Sequence, residues 1–564
     1  MNSFFTSYST NFIDPRQTGV DPRTGQFIVN IPLVRLVGNN LMGPNIYLDL
    51  SYSPFSESDF GFGTGFSFCI TNFNALTNIL ELSSGENYKV QPSTDIVRGR
   101  NTSDFKFSYT NGINDSSGYT VIWEDGKKEQ LALVGGDLFV TTLITSSSGH
   151  MMNLSWGWTG LFPQLLRIDD EVSTLCLFVY DACPEMIIFP CSDDECRIYF
   201  EVIFNNQLER VSRVASDANT LTWCFRYENV LGIQTRLLTG ITYPTGMTDF
   251  VEYSQAAGLL FPDSSGIIES LPVVISHIRN PGIGQSEIMA CYEYTEQNFL
   301  GYKGDFGNWL SESDYIYTTL TDYVYGSTAT VSDGSCTIKT TRKYNNYHLK
   351  IYEDISNVEN RHITELLYYA EPYVSIELQP PQFQFLREKK DIWITKDGSV
   401  INKVALSEFD SSGNLIREMT PDGIETVIAW YDAAGEDGCP AEPHGFVRFM
   451  KSQIITYGDT KYPISVFASY YTYAILGNRP YVVLRQKINY ADDVLLQKLD
   501  YIYHADDNVD YGRIKSITNT RYEKSESTSS ITARQTVTTS FNNGKRHKLT
   551  TFSGYDDLYN LSIR

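Results

Sequence analysis

The chain has 564 residues, 67 acidic against 44 basic, and a formal net charge of −23 with a pI near 4.7. That balance excludes a nucleic-acid groove, which needs a basic stripe, and disfavours docking on anionic lipid. No apolar run approaches the roughly 20 residues of a membrane-spanning helix. The opening MNSFFTSYSTNF lacks the basic start and apolar stretch of a secretory signal peptide, so export, if it occurs, needs another route.

Thirty-eight Tyr, 31 Phe and 40 Gly predict an all-β body of short strands and many turns, with helix below about a tenth of the chain. The first predicted element is a strand pair. Phe27, Val29, Ile31 and Leu33 alternate along one strand, and Ile46, Leu48, Leu50 and Tyr52 along the next. Gly43-Pro44 between them is a turn signal. Further on, Cys176, Cys183, Cys191 and Cys196 form the densest cysteine group, with no C-x-x-C and no nearby His. That spacing does not make a zinc site and reads as buried thiols of a protein folding in a reducing compartment. Short apolar strands follow at 208–214 and 237–243.

The clearest unit spans 408–432 and reads EFDSSGNLIREMTPDGIETVIAWYD. Phe409-Asp410 opens it, Gly413 closes a turn, Pro421-Asp422-Gly423 makes a second turn, and Tyr431-Asp432 ends it. The aromatic-Asp pairs lie 22 residues apart, a spacing that signals a wound array. Pro fixes one backbone angle and Gly423 supplies a positive one, so the chain reverses. Alternation in the strand that follows puts Val427, Ala429 and Tyr431 on one side and Ile428 and Trp430 on the other. Looser copies pair Asn219, Gly246 and Gly284 with Tyr227, Tyr253 and Tyr292, seven or eight residues on, as Gly423 does with Tyr431. A near-end copy falls at 554–561.

At these residues the sequence resembles the Rhs/YD-repeat family: bacterial polymorphic toxins, insecticidal toxin-complex shells and teneurins. The N-terminal motifs carry the likeness furthest. They are Asp21-Pro22-Arg23-Thr24-Gly25, an alternating strand, Gly43-Pro44, the Leu48-x-Leu50-x-Tyr52 strand, Gly61-Phe62-Gly63 and Ser84-Gly85-Glu86-Asn87-Tyr88. The match divides the chain into an N-terminal opening region at 1–200, YD-like strands at 201–300, a poorly matched β-rich stretch at 301–395, and YD strands at 396–564. The resemblance implies β-hairpins wound into a large curled-sheet shell, a cocoon.

A search for chemistry finds little. The seven histidines are scattered, outside any zincin pattern, and neither a nucleophile elbow nor a phosphate loop occurs. Asp506, Asn508 and Asp510 imitate the start of a calcium loop, but Tyr511 stands where that loop needs Gly and Ile517 where it needs Glu, so a hairpin turn is expected there. No catalytic, cofactor or metal residue is assigned. The motif residues Asp21, Pro22, Gly25, Gly43, Pro44, Gly246, Tyr253, Phe409, Asp410, Gly413, Asp422, Gly423, Tyr431 and Asp432 are assigned structural roles.

The function expected from the resemblance is a non-catalytic shell that encloses and helps deliver a toxin polypeptide. Its partners would be that polypeptide or a second shell chain of the family, with a secretion-apparatus component beside them. It would be made in the bacterial cytoplasm and secreted. The family's self-cleaving closing core is not recognisable before Arg564, so the last strand edge is expected to be completed by further sequence or a second chain. The alternatives are a carbohydrate- or cell-surface-binding adhesin using tyrosines such as Tyr368-Tyr369 or Tyr470-Tyr471-Thr472-Tyr473, and, third, a glycoside hydrolase.

Overall fold

The structure is a computed structural model. It describes residues 7, 9, 18–54, 60–91, 96–97, 104–110, 118–159, 162–181, 183–203, 206–216, 219–230, 236–304, 309–310, 314–318, 322–459, 462–506, 510–524, 531–542 and 545–551. The end segment with its copy at 554–561, and Asn508 of the calcium-loop imitation, lie outside these residues. Strands take 59% of the residues and helices 3%, so the fold is all-β, as composition and turn density predict.

Each strand from Phe105–Thr110 to Lys545–Thr551 pairs antiparallel with the next one in sequence. Short turns permit this, because an antiparallel neighbour needs only a tight reversal. The meander forks at one place. Leu138–Val140 pairs with Asn72–Asn74, while Leu143–Thr145 of the same strand pairs with Met151–Asn153. This closes the N-terminal part of the sheet on itself.

A separate four-stranded sheet is formed by Gly19–Val20, Phe27–Val37, Asn45–Tyr52 and Phe66–Phe68. Alternation gives it one apolar face. Phe27, Val29, Ile31, Leu33, Leu48, Leu50 and Tyr52 pack there against Leu154, Leu165, Ile168, Phe200, Leu208, Val211, Leu238, Val251 and Val274 of the large sheet. This main core crosses position 200 without interruption. The stretch 301–395 supplies five more strands of the same meander. Beyond it the packing thins: strands Val400–Phe409, Leu415–Met419 and Val494–Tyr503 contain no buried residue. The chain begins as a two-layer structure and continues as a one-layer wall.

Two expectations need correction. Val427 and Ala429 are exposed while Tyr431 is buried, so the three do not share a face. The register shifts between Ala429 and Trp430, and the strand ends at Trp430, which breaks the alternation just before Tyr431. The cysteine group also splits. Cys176 is buried in a strand, but Cys183 and Cys191 are exposed, because they lie in the turns flanking Glu185–Ile188.

Candidate functional site: a bulged wall and its seam

The recurring unit is a bulge with an aromatic side chain over it. At a bulge two residues oppose one, and the ladder is disrupted locally. The carbonyls there need other donors. Tyr227 Oη donates to the Leu208 carbonyl (2.8 Å), Tyr294 to Val274 (2.9 Å), Tyr368 to Lys350 (2.9 Å) and Tyr503 to Leu484 (2.9 Å). Trp156 and Trp430 use their indole N–H in the same way on Thr141 (2.8 Å) and Leu415 (2.9 Å). All six acceptors sit at a register shift with their preceding strand.

The unit also propagates. Tyr227, Tyr368, Tyr503, Trp156 and Trp430 each lie opposite the shift in the following strand. Each aromatic therefore serves the bulge behind it and faces the bulge ahead. Burial pushes the Tyr368 and Tyr503 hydroxyls up to about 12 and Tyr227 well above its ordinary value, so all three remain donors. Repeated bulges bend and twist a sheet one way, which makes a meander curl.

The sequence motifs find their places within this scheme. Phe409 stacks on Phe385 at 4.6 Å. Asp410 caps its turn by accepting N–H bonds from Ser412 (2.8 Å) and Asn414 (2.9 Å), and Asp432 does the same for Ala434 (2.7 Å). The Asp of each pair thus closes an Asx turn just past the aromatic. Gly413 has φ +90°, and Gly423, on the opposite rim, has φ +81° with its N–H on the Thr420 carbonyl. Among the described residues Asp422 pairs with Lys403, at 3.3 Å on the surface. Tyr431 Oη donates to the Tyr471 carbonyl at 2.8 Å. Gly246 makes an open hairpin turn at φ +84°.

The Asp-Pro-x-Thr-Gly motif is a hook. Asp21 accepts the N–H groups of Arg23 (3.0 Å) and Thr24 (3.3 Å), Pro22 occupies the turn, and Gly25 at φ +70° lays its carbonyl on Val274 N–H at 2.8 Å. A Cβ on Gly25 would lie 2.6 Å from Val273 Cγ1. Beside the hook, Phe27 N–H donates to Tyr253 Oη at 3.2 Å, which brings Asp21, Gly25 and Tyr253 together. Gly43 and Pro44 close a hairpin whose apex is unexpected: Asn39, Asn40 and Leu41 all have left-handed φ, between 51° and 69°. Asp170 holds that apex by accepting Asn39 N–H at 2.6 Å.

Residues far apart in sequence meet along a seam. Lys106 donates to the His444 carbonyl, Arg448 to Asp125 (3.0 Å), Arg479 to Ser148 (3.3 Å) and Arg513 to Asn40 (2.7 Å). His150 Nε2 lies 2.9 Å from the Tyr511 carbonyl. From 106 to 150 and from 444 to 511 the partners rise together along the chain. Two successive passes of the meander therefore lie side by side in the same sense, as in a wound ribbon. Gly149, at φ +89°, brings its backbone to the Arg479 side chain, which a Cβ would meet at 3.2 Å.

Sequence reasoning missed the roles of the histidines. His277 meets Asp249 (2.9 Å), His348 meets Asp314 (2.9 Å), His362 meets Asp391 (2.9 Å) and His150 meets Glu171 (3.2 Å). Each pairing joins strands or turns distant in sequence, so no local pattern reveals it. Burial of Asp249 works against ionisation, but hydrogen bonds from His277 and Arg279 outweigh it and hold the carboxyl below the usual range. The tyrosines offered as sugar platforms are mostly committed elsewhere. Tyr368 and Tyr369 hydroxyls bond to backbone carbonyls, and of the second cluster Tyr470 is the most open, at 43% exposure.

No family model and no curated protein matches the chain. Among solved structures, it is similar to a TcdB2–TccC3 complex at 10% identity and TM-score 0.26, over 98% of this chain and 46% of the other. A TcdB2–TccC3–Cdc42 complex matches at 9% identity and TM-score 0.28, over 95% and 44%. A Photorhabdus luminescens Tc holotoxin pore matches at 9% and 0.27, over 99% and 44%. The chain spans less than half the length of the structures it matches.

Proposed function

We propose that this chain is a wall segment of a toxin-enclosing shell and does no bond chemistry of its own. The observation that carries this reading is the seam: a meander of bulged hairpins returns to lie against its own earlier turns, which is how a ribbon encloses a volume. The thinning of the core after residue 400 supports it, because a wall facing a lumen needs no second layer. The YD-type motifs and the N-terminal hook support the family resemblance, whose members hold a toxin polypeptide in such a volume. In this reading the chain is secreted, and its partners are the enclosed polypeptide and any further wall segment of the same family.

The test is cryo-electron microscopy of the protein isolated from its own cells, with protease protection of whatever copurifies. The expected result is a hollow wall holding protease-resistant, poorly ordered polypeptide that becomes digestible once the wall is unfolded. A wall packed solid by its own side chains, or a copurifying polypeptide digested at once, refutes it.

A further inference from the structure

His150 closes the turn at 146–150, is 2% exposed and meets the later pass of the ribbon at Tyr511. Both of its ring nitrogens face acceptors. Nε2 lies 2.9 Å from the Tyr511 carbonyl oxygen, 361 residues away in sequence, and Nδ1 lies 3.2 Å from Glu171 Oε2. A carbonyl cannot donate, and neither can an ionised carboxylate. A neutral imidazole has one N–H, so whichever nitrogen carries it, the other turns a lone pair towards an oxygen. The ring is shut off from water, so that clash goes uncompensated. With one more proton the ring donates to both partners. A proton on Glu171, donated to Nδ1, meets the same need. Either way the closed contact holds one proton more than a neutral ring beside a free carboxylate. Buried His348 shows the contrast. Its Nε2 meets Asp314 (2.9 Å), but its Nδ1 meets the Tyr325 hydroxyl (2.8 Å), which can donate, so a neutral ring is satisfied there.

The charged groups on the elements packed around His150 are named easily. Glu171 touches the ring, and Asp170 beside it is taken up by Asn39 N–H. From the later pass come Arg479, over the Tyr511 ring and on the Ser148 carbonyl, and Arg513, beside Asp510 and on the Asn40 carbonyl. The Tyr511 hydroxyl donates to the Leu476 carbonyl. The charge in direct contact with the ring is thus a carboxylate, while both guanidiniums are turned to other oxygens. At the other end of the seam the titrating groups oppose each other. Burial, then Asp104, Asp125 and Asp410, pushes the Glu124 carboxyl up against the pull of Arg448. Burial, then Lys128, Arg448 and Lys106, pushes His444 down against Glu442. We infer that His150 is a proton-operated latch: protonated, it ties Glu171 of one pass to the Tyr511 carbonyl of a later pass, and losing that proton loosens this end of the seam. A free imidazole loses its proton at about pH 6.5. The closed contact holds the extra proton, so acid favours closure and the latch weakens as pH rises through neutrality. It rests on the seam geometry, whatever the winding encloses.

The test is hydrogen exchange with mass spectrometry on the full chain at about pH 5.5 and about pH 8, corrected for the pH dependence of intrinsic exchange. Peptides covering 146–152 and 510–516 should be roughly tenfold better protected at the lower pH, the factor for one hydrogen bond to a charged group. Glu171→Gln, at an exposed position, is the decisive variant. Its amide can accept from a protonated Nδ1 or donate to an unprotonated one, so both peptides should stay protected at both pH values. His150→Gln should remove the pH dependence, and His444→Gln should leave it intact. Equal protection of the parent at the two pH values overturns the latch. So does a Glu171→Gln chain that keeps the parent's difference or loses protection in acid, and neither readout needs the buried His150 to be replaced. A difference that persists in His150→Gln, or vanishes in His444→Gln, places the proton elsewhere and overturns it too.

Discussion

Replacing Tyr227 by Phe removes one oxygen and tests the bulge-and-aromatic unit at its most buried copy. Tyr227 is 7% exposed and its hydroxyl lies 2.8 Å from the carbonyl of Leu208, itself fully buried. The ring and its contacts in the main core remain. What is lost is one buried hydrogen bond, and a carbonyl at a bulge is left without that donor. Such a group costs about 1–3 kcal/mol, and the small gain from a less polar ring brings the expected net to about 1–2 kcal/mol. In a chain this long the melting point moves little, so the informative assay is native-state hydrogen exchange followed by mass spectrometry. Peptides covering 199–212 should exchange roughly tenfold faster, the factor that 1.4 kcal/mol of local opening produces. Tyr470→Phe is the control, since that tyrosine is exposed and serves no bulge among the described residues. Equal exchange in the two variants would mean that the aromatic donors do not hold the bulges, and the account of the repeat would fail.

Three further outcomes are expected. The triple variant Arg448→Ala, Arg479→Ala, Arg513→Ala removes most of the seam donors but no core residue, so circular dichroism should stay unchanged while the radius of gyration from X-ray scattering rises; an unchanged radius would mean the seam does not hold the winding. A Cβ at Gly423 meets the Gly458 carbonyl oxygen at an ordinary contact of 3.8 Å, so Gly423→Val pays mainly for its positive φ, about 1–3 kcal/mol, whereas Gly25→Val also strikes Val273 and should release the N-terminal hook to limited proteolysis; equal effects would refute the hook. Asp249 has its carboxyl depressed, so its ionised form contributes stability that is fully present above the unfolded value of about 3.9 and fades as pH falls below it. Urea melts of Asp249→Asn and the parent should accordingly differ by a constant amount above about pH 5 and by less as pH is lowered below about 3.9, and a gap that widens in acid would reverse the assignment.

The sequence made the strand content legible because Phe27–Val37 and Asn45–Tyr52 carry period-two alternation against a deep core. It made the YD unit legible as a spacing, since the aromatic-Asp pairs at 409–410 and 431–432 sit on one rim, separated by one descending and one ascending strand. It did not reveal what the aromatic does. The donors reach carbonyls 15 to 20 residues upstream, and the acceptors, Leu208, Leu484 and Leu415 beside Val274, Lys350 and Thr141, have no single side-chain type in common. A backbone carbonyl leaves no mark in sequence. The same holds for the bulge after Ala429, which misplaced Tyr431. Glycine-to-tyrosine offsets of seven or eight track the turn and not the donor, so they point at Tyr292 where the bond is made by Tyr294.

The seam explains how an acidic chain can press two of its own passes together. With a net charge of −23, opposed rims would repel if they met through carboxylates. Here the groups that cross are the basic side chains Lys106, His150, Arg448, Arg479 and Arg513, each meeting a backbone carbonyl, and the three arginines reach carbonyls of the 125–150 turns or of the left-handed apex at Asn40. Two of these bases are first neutralised on their own side: Arg448 pairs with Glu442 at 3.0 Å and Arg513 with Asp510 at 3.1 Å. Arg448 gives its Nε to Glu442 and its Nη1 to the distant Asp125 carbonyl, a division that the planar five-donor fork allows and a lysine ammonium does less well, while Arg513 lies beside Asp510 and gives its Nη2 to the Asn40 carbonyl. The contact is therefore nearly charge-neutral across the gap and depends on geometry at the turn apices. This gives the three left-handed residues at 39–41 a role. Left-handed backbone costs roughly 1–2 kcal/mol per residue, less for Asn, and Asp170 holds the strained apex in the position where the Asn40 carbonyl meets Arg513. Strain kept at the contact point, with its compensation supplied by a neighbouring turn, is what a seam needs if it is to form only when the ribbon has wound far enough for residue 513 to reach residue 40.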